Sequence, residues 1–162
     1  MLSDKIKHLY TLCHDLLYLG MDGSPVYTCD LTRLNREVFT LCNELYEGGF
    51  RGATAEEEAL LCLSLLKGYE ATCYDYGDKQ RRLQSVLDRC RSVLRVLPPS
   101  LLRVSLLAWC YNETFDESLA QEARSIISTW GDPALFTPEQ REIVDELSNF
   151  EENQEGWEEV DE

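Results

Sequence analysis

The sequence has little with which to do chemistry. Of its 162 residues only two are histidine, His8 and His14. They stand six positions apart in one helical stretch and so point to different faces, while adjacent Cys13 and His14 point apart. No pairing of His with Cys has zinc-ligand spacing, and the same geometry denies Cys13 a nearby base for nucleophilic catalysis. Glycine is sparse: neither GxxxxGK followed by Ser or Thr nor GxGxxG occurs, so no phosphate-cradling loop is expected. Nine Gly and five Pro are too few for a collagen-like or linker-rich chain. No apolar run approaches the ~18 residues that cross a bilayer; the densest, Leu60 to Leu66, includes Ser64. Asp4, His8, His14 and Asp15 interrupt the N-terminal apolar pattern, and no small-x-small cleavage site follows, so no secretory signal is expected. No catalytic, metal or cofactor-binding residue is assigned, and the chain is not expected to be an enzyme.

Positive charge is also scarce. Acids outnumber bases 30 to 15, giving a formal charge of −15. That field repels phosphate backbones and argues against direct grip on nucleic acid, which draws mostly on Lys and Arg. What the chain does have is the composition of a globular domain: 44% apolar and 28% charged residues are outside the disordered range. Its seven cysteines are Cys13, Cys29, Cys42, Cys62, Cys73, Cys90 and Cys110. They are odd in number, widely spaced, without a CxxC, and most lie on apolar helical faces. This pattern reads as a reduced, cytoplasmic protein with buried thiols rather than a disulfide framework.

The apolar periodicity is helical almost throughout. Ile6, Leu9, Tyr10, Cys13, Leu16 and Leu17 make one face, with Ser3 as expected N-cap and Gly20 as stop. A second helix is expected from about Leu31 to Tyr46, capped by Asp30. Thr54-Ala55-Glu56-Glu57 is a capping box, and Glu56, Glu57 and Glu58 suit the positive end of the helix dipole. The helix it opens is apolar nearly all round, which belongs at the centre of a bundle, and its pattern continues to Tyr76. Asp78 is expected to cap a fourth helix whose outer face carries Arg81, Arg82, Arg89, Arg91 and Arg95; Pro98-Pro99 ends it. Ser100 and Asp116 cap a fifth and a sixth helix, the sixth reaching Trp130. Thr137-Pro138-Glu139-Gln140 opens a seventh. Only Val26 to Cys29 offers a weak chance of a strand. The expected fold is all-α, a compact bundle of six to seven helices in antiparallel hairpin-like pairs, the alternative being a TPR- or HEAT-like stack. Helix starts near 55, 101 and 138 are 46 and 37 residues apart, without the fixed period a solenoid requires.

One helical domain over residues 1–150 and an acidic tail over 151–162 are expected. The tail, EENQEGWEEVDE, holds seven acids and no base, and without it the net charge would be −8. It reads as a solubilising terminus, or as an arm with Trp157 anchoring a basic partner. Two further segments suit a protein interface, since Tyr and Met supply contact area with little rotamer cost or with adaptable shape. One is Tyr18 to Tyr27, with Tyr18, Met21, Asp22 and Tyr27, where a simply packed turn is the competing reading. The other is Tyr74 to Lys79, with Tyr74, Asp75, Tyr76, Asp78 and Lys79, where a structural role for Gly77 and Asp78 as helix stop and cap competes. The arginine face of the fourth helix is the one basic patch, expected to pair with neighbouring acids.

A family resemblance rests on a series of blocks in order: LLYLGMDGSPVY (16–27), TRLNREVF (32–39), GATAEEEALLCLSLLKGYEATCYDYGDKQ (52–80), VLDRCRSVLRVLPPSLL (86–102), CYNETFDESLAQEA (110–123) and WEEV (157–160). Together they resemble the UpxZ family of Bacteroides and its relatives. The resemblance implies a regulator. Such proteins are encoded at the start of capsular polysaccharide operons beside UpxY, a NusG-like antiterminator, and inhibit the UpxY proteins of other capsule operons, so that one capsule tends to be made. It also implies a partner, UpxY alone or with RNA polymerase, and no catalytic residues. A general helical adaptor binding a peptide or the polymerase is the alternative.

Overall fold

A computed structural model describes residues 1–160, with side chains through Gln154. The described residues form seven α-helices and one 3₁₀ turn, and no strand. The all-α expectation holds. The contacts divide the chain into two units, the first Met1–Val96 and the second from Leu97 onward.

The first unit comprises α1 (Leu2–Leu17), α2 (Thr28–Glu47), α3 (Ala55–Ala71) and α4 (Lys79–Leu94). Helix α3 packs on all three others. Its sequence dictates this place: Leu61, Cys62, Leu63, Leu65, Leu66 and Tyr69 are all within 1% of full burial, and only a central helix can bury residues around its whole circumference. Truncating one such leucine to Ala is expected to cost about 2–5 kcal/mol. Gly68 lets α3 and α2 meet. A Cβ there would stand 2.2 Å from Cys42 Sγ, far inside van der Waals contact.

The capping box at Thr54 forms, with the Glu57 amide donating to Thr54 Oγ1 at 3.1 Å. The Glu57 side chain reaches one residue further back than the standard box, accepting from the Ala53 amide at 3.0 Å. Helix α1 starts at Leu2 with Met1 at the N-cap and no side-chain cap, so Ser3 lies inside the helix. Likewise α2 begins at Thr28, ahead of Asp30, with Tyr27 at its N-cap and no side-chain cap. Val26 to Cys29 is therefore the run into a helix, not a strand. Helix α3 stops at Ala71, short of the expected Tyr76, because Thr72 turns to extended geometry (ψ 140°).

The second unit comprises α5 (Leu101–Thr114), α6 (Glu117–Ser128), the 3₁₀ turn Pro133–Leu135 and α7 (Pro138–Val160). Ser100 and Asp116 cap as expected, accepting from the Arg103 and Ser118 amides at 3.1 and 3.0 Å. Helix α6 ends two residues before Trp130. At Thr137 the box is reciprocal: Gln140 N donates to Thr137 Oγ1 at 3.1 Å, and Thr137 N donates to Gln140 Oε1 at 2.9 Å. Helix α5 packs on α6 and α7. The Trp109 indole N–H donates to Glu146 at 3.0 Å, both side chains being buried, and the Trp109 ring meets Phe150 edge-on. Helix α7 carries on past residue 150, where Arg124 bonds Glu151 and Tyr111 bonds Gln154. The side chain of Trp157 and residues 161–162 lie outside the described residues.

Candidate functional site

The sequence singles out two segments, and the structure sets both against α2. The Thr72–Lys79 segment is held by a dense set of bonds. Asn35, buried on α2, donates from Nδ2 to Leu31 O at 2.9 Å and accepts the Cys73 amide on Oδ1 at 2.8 Å. The hydroxyl of buried Thr72 donates to Asn35 O at 3.3 Å. Lys79 folds back over the turn, its Nζ donating to Thr72 O at 3.0 Å. Phe39, one turn along α2, receives the Tyr74 ring at 5.5 Å and the Tyr76 ring edge-on at 5.1 Å. Thus TRLNREVF and GYEATCYDYGDK, distant in sequence, are partners in space.

Capping of α4 departs from expectation. Asp78 occupies the N-cap position but makes no side-chain cap bond. Its carboxylate instead lies 3.0 Å from Arg82 Nε. Asp75 Oδ1 does the capping, accepting the Gly77 amide at 2.8 Å and the Lys79 amide at 3.3 Å. Much of the second segment is thereby occupied with itself, although Tyr76 remains 81% exposed.

The expected basic patch is consumed in the same way. Arg82 reaches Asn43, the Tyr69 hydroxyl and Glu47 at 2.9, 3.1 and 2.7 Å. Its contacts hold the guanidinium more basic than usual despite burial, and burial pushes the Tyr69 phenol up to about 12. Arg89 is spent on Glu58 and on Phe50 O. These two arginines have side chains only 12% and 11% exposed, whereas Arg81, Arg91 and Arg95 are exposed.

The Tyr18–Tyr27 segment is different. Leu19 and Gly20 follow α1, and Gly20 adopts a left-handed conformation (φ +79°) with Val26 packed where a Cβ would be. That turn is closed to any residue with a side chain. Asp22 Oδ1 accepts the Ser24 amide at 3.0 Å, and this bond together with the Ser24 hydroxyl holds the Asp22 carboxyl below its ordinary range. The Tyr18 ring stacks on His14 at 4.5 Å. Between this loop and the start of α2 lies an open groove of about 700 Å³, lined by Leu12, Tyr18, Leu19, Met21, Pro25 and Leu34 with Asp15, Asp22, Asp30 and Arg33. Met21, Val26 and Tyr27 are 71%, 49% and 60% exposed.

The two segments do not share one side of α2. Asp30, Arg33 and Leu34 border the groove, whereas Asn35 and Phe39 hold the other segment. At 100° per residue these two sets lie roughly 170° apart around the helix. Sequence periodicity did not reveal this, because it cannot say which loop falls on which flank of a helix. The groove itself was also missed: its apolar walls are ordinary amphipathic positions whose meeting depends on how α1 turns into α2.

A family model, the UpxZ family of transcription anti-terminator antagonists, matches residues 6–112. A solved structure similar to this chain is that of a transcription anti-terminator antagonist UpxZ from Bacteroides uniformis, at 46% identity and a TM-score of 0.87. The likeness covers 100% of this chain and 99% of that one. No curated protein matches the chain.

Proposed function

The chain belongs to the UpxZ family of transcription anti-terminator antagonists, and from that premise we propose that it inhibits UpxY-type, NusG-like antiterminators of other capsular polysaccharide operons by binding them. The effect is to limit capsule expression to one locus. It acts in the cytoplasm by covering a protein surface, on free UpxY or on UpxY bound to RNA polymerase, and transforms no molecule. No helix among the described residues is long and apolar enough to cross a membrane.

The observation that carries this reading is the full-length likeness to the Bacteroides uniformis antagonist. The surface supports it: Met21, Tyr27 and Tyr76 are large apolar or aromatic side chains left more than half exposed, the kind of residue that anchors interfaces. Tyr18, Asp22, Tyr74, Asp75, Asp78, Lys79 and Trp157 complete the proposed contact set. An acidic chain quickens encounter with a basic partner and tunes partner choice more than it adds affinity. Discrimination between UpxY proteins is a difference of affinities, and repulsive contacts with the cognate partner are one source of it.

The test is a binding assay of the full chain against several UpxY proteins, with and without RNA polymerase. Binding to non-cognate UpxY at least tenfold tighter than to the cognate one, a gap of about 1.4 kcal/mol, is the expected result. Absence of binding to every UpxY, free or polymerase-bound, overturns the proposal.

A further inference from the structure

The two candidate segments differ in what they leave available. Around Asn35 and Phe39 the polar groups of Thr72, Cys73, Asp75 and Lys79 are engaged within the segment or with α2. Beside α1 the groove keeps an apolar floor, with Met21 standing at its rim. Methionine at an exposed rim adapts to differing apolar partners.

The charge of the groove selects the occupant. Three carboxylates, Asp15, Asp22 and Asp30, line it. Its arginine, Arg33, lies 3.8 Å from Asp30 and 3.5 Å from Glu37, so its charge is offset locally. Asp22 stays ionised through its bond from the Ser24 amide. The first unit around it is close to neutral, with 14 acids and 12 bases over residues 1–96, so the negative field at the groove comes from these carboxylates themselves.

We infer that the groove between the Tyr18–Tyr27 loop and the start of α2 is the docking site for a basic segment of the antiterminator, one that seats an apolar side chain beside Met21 and sets Lys or Arg against Asp15 and Asp22. The inference rests on the proposed antagonism and narrows it to one of two surfaces. The far side of α2, with Tyr74 and Tyr76, then lies outside the docking site.

The protein carries its own reporters. Cys29 is exposed in the first turn of α2, one turn before Arg33 of the groove lining, and exposed Cys73 is bonded to Asn35 on the opposite flank through its amide. Maleimide modification of each thiol, read by peptide mass, is followed with and without saturating UpxY. The expected result is at least a fivefold slowing at Cys29 with Cys73 unchanged. Met21→Glu and Tyr27→Ala are expected to weaken binding at least tenfold, and Asp15→Lys/Asp22→Lys to slow association and flatten its salt dependence. Leu135→Ala, at a side chain 82% exposed in the second unit, keeps affinity within twofold.

Protection of Cys73 without Cys29, or full affinity in Met21→Glu, overturns the inference while leaving the antagonism standing. So does sedimentation showing that Met21→Glu breaks a homodimer, which gives the groove to a second copy. Binding of no UpxY by the unaltered chain removes both readings together.

Discussion

Glu58 of α3 and Arg89 of α4 meet as a fork. Glu58 Oε1 accepts Arg89 Nη2 at 2.9 Å, and Oε2 accepts Nε at 3.1 Å. The same carboxylate takes the Gly52 amide at 2.9 Å, while Arg89 Nη2 also donates to Phe50 O at 2.9 Å. One ion pair thus ties two helices to the loop that precedes α3. With side chains 17% and 11% exposed, it is shielded from most solvent screening, unlike an open surface pair.

Glu58→Gln is expected to cost about 1.5–3 kcal/mol, since bonds to charged groups exceed neutral ones. For a chain of this size that is a fall of roughly 3–10 °C in Tm. The effect depends on pH. Burial opposes ionisation of Glu58, but the bonds from Arg89 and the Gly52 amide outweigh it and hold the carboxyl below the usual glutamate range. The folded state therefore binds fewer protons than the unfolded one. The stabilisation is complete above the unfolded value of about 4.3 and fades as pH falls through the lower folded value. Thermal scans from pH 7 downward should show the gap between wild type and Glu58→Gln narrowing only in that acid window.

Gly68→Ala is expected to destabilise the first unit by about 1–3 kcal/mol through overpacking. Its Cβ would meet Cys42 Sγ at 2.2 Å, with Cys13 Sγ and Val38 Cγ1 each at 3.4 Å. Cys42→Gly should relieve much of the clash. A double-mutant cycle by urea denaturation reads this as a favourable coupling of at least ~0.5 kcal/mol; additive losses would show that the closeness of α2 and α3 is not the cause.

Asn35→Ala removes the acceptor for the Cys73 amide and the donor to Leu31 O. Loss of a buried bridging amide is expected to cost about 1–3 kcal/mol. Hydrogen exchange should accelerate at residues 73–79 well before global unfolding, because this loop depends on that anchor.

Thiol reactivity separates the cysteines. Cys29 and Cys73 are exposed, and the other five are buried. Burial pushes the Cys13 thiol up to about 12, against the pull of Lys67, and raises Cys42 well above its ordinary range. Since the thiolate is the reactive form, iodoacetamide on the native protein should modify two cysteines quickly and the remaining five only after denaturation.

Trp109→Phe keeps the ring against Phe150 but deletes the indole donor to buried Glu146. A loss of about 1.5–3 kcal/mol is expected. Calorimetry should place that loss in the second unit, with α1–α4 exchange protection unchanged.

Local signals were legible where physics is local. The boxes at Thr54 and Thr137 and the caps at Ser100 and Asp116 form as their spacing requires, because hydroxyl or carboxylate and amide lie within one turn. Helix ends lacking such a partner were misread. Ser3 and Asp30 look like caps, yet the chain enters both helices earlier, without a side-chain cap at either N-cap. At Asp78 the cap residue was placed correctly, but the bond comes from Asp75, since Asp78 is drawn to Arg82.

The amino-acid order by itself determined the all-α architecture, the central place of α3 and the family, because periodicity, capping and motif blocks are written along the chain. Tertiary structure decided the rest. It joined Asn35 and Phe39 to the Thr72–Tyr76 loop, consumed Arg82 and Arg89 in ion pairs, and left Met21 and Tyr27 facing solvent beside an acidic groove. Which loop settles on which flank of a helix follows from side-chain packing between elements far apart in sequence, and that packing exists only once the chain has folded.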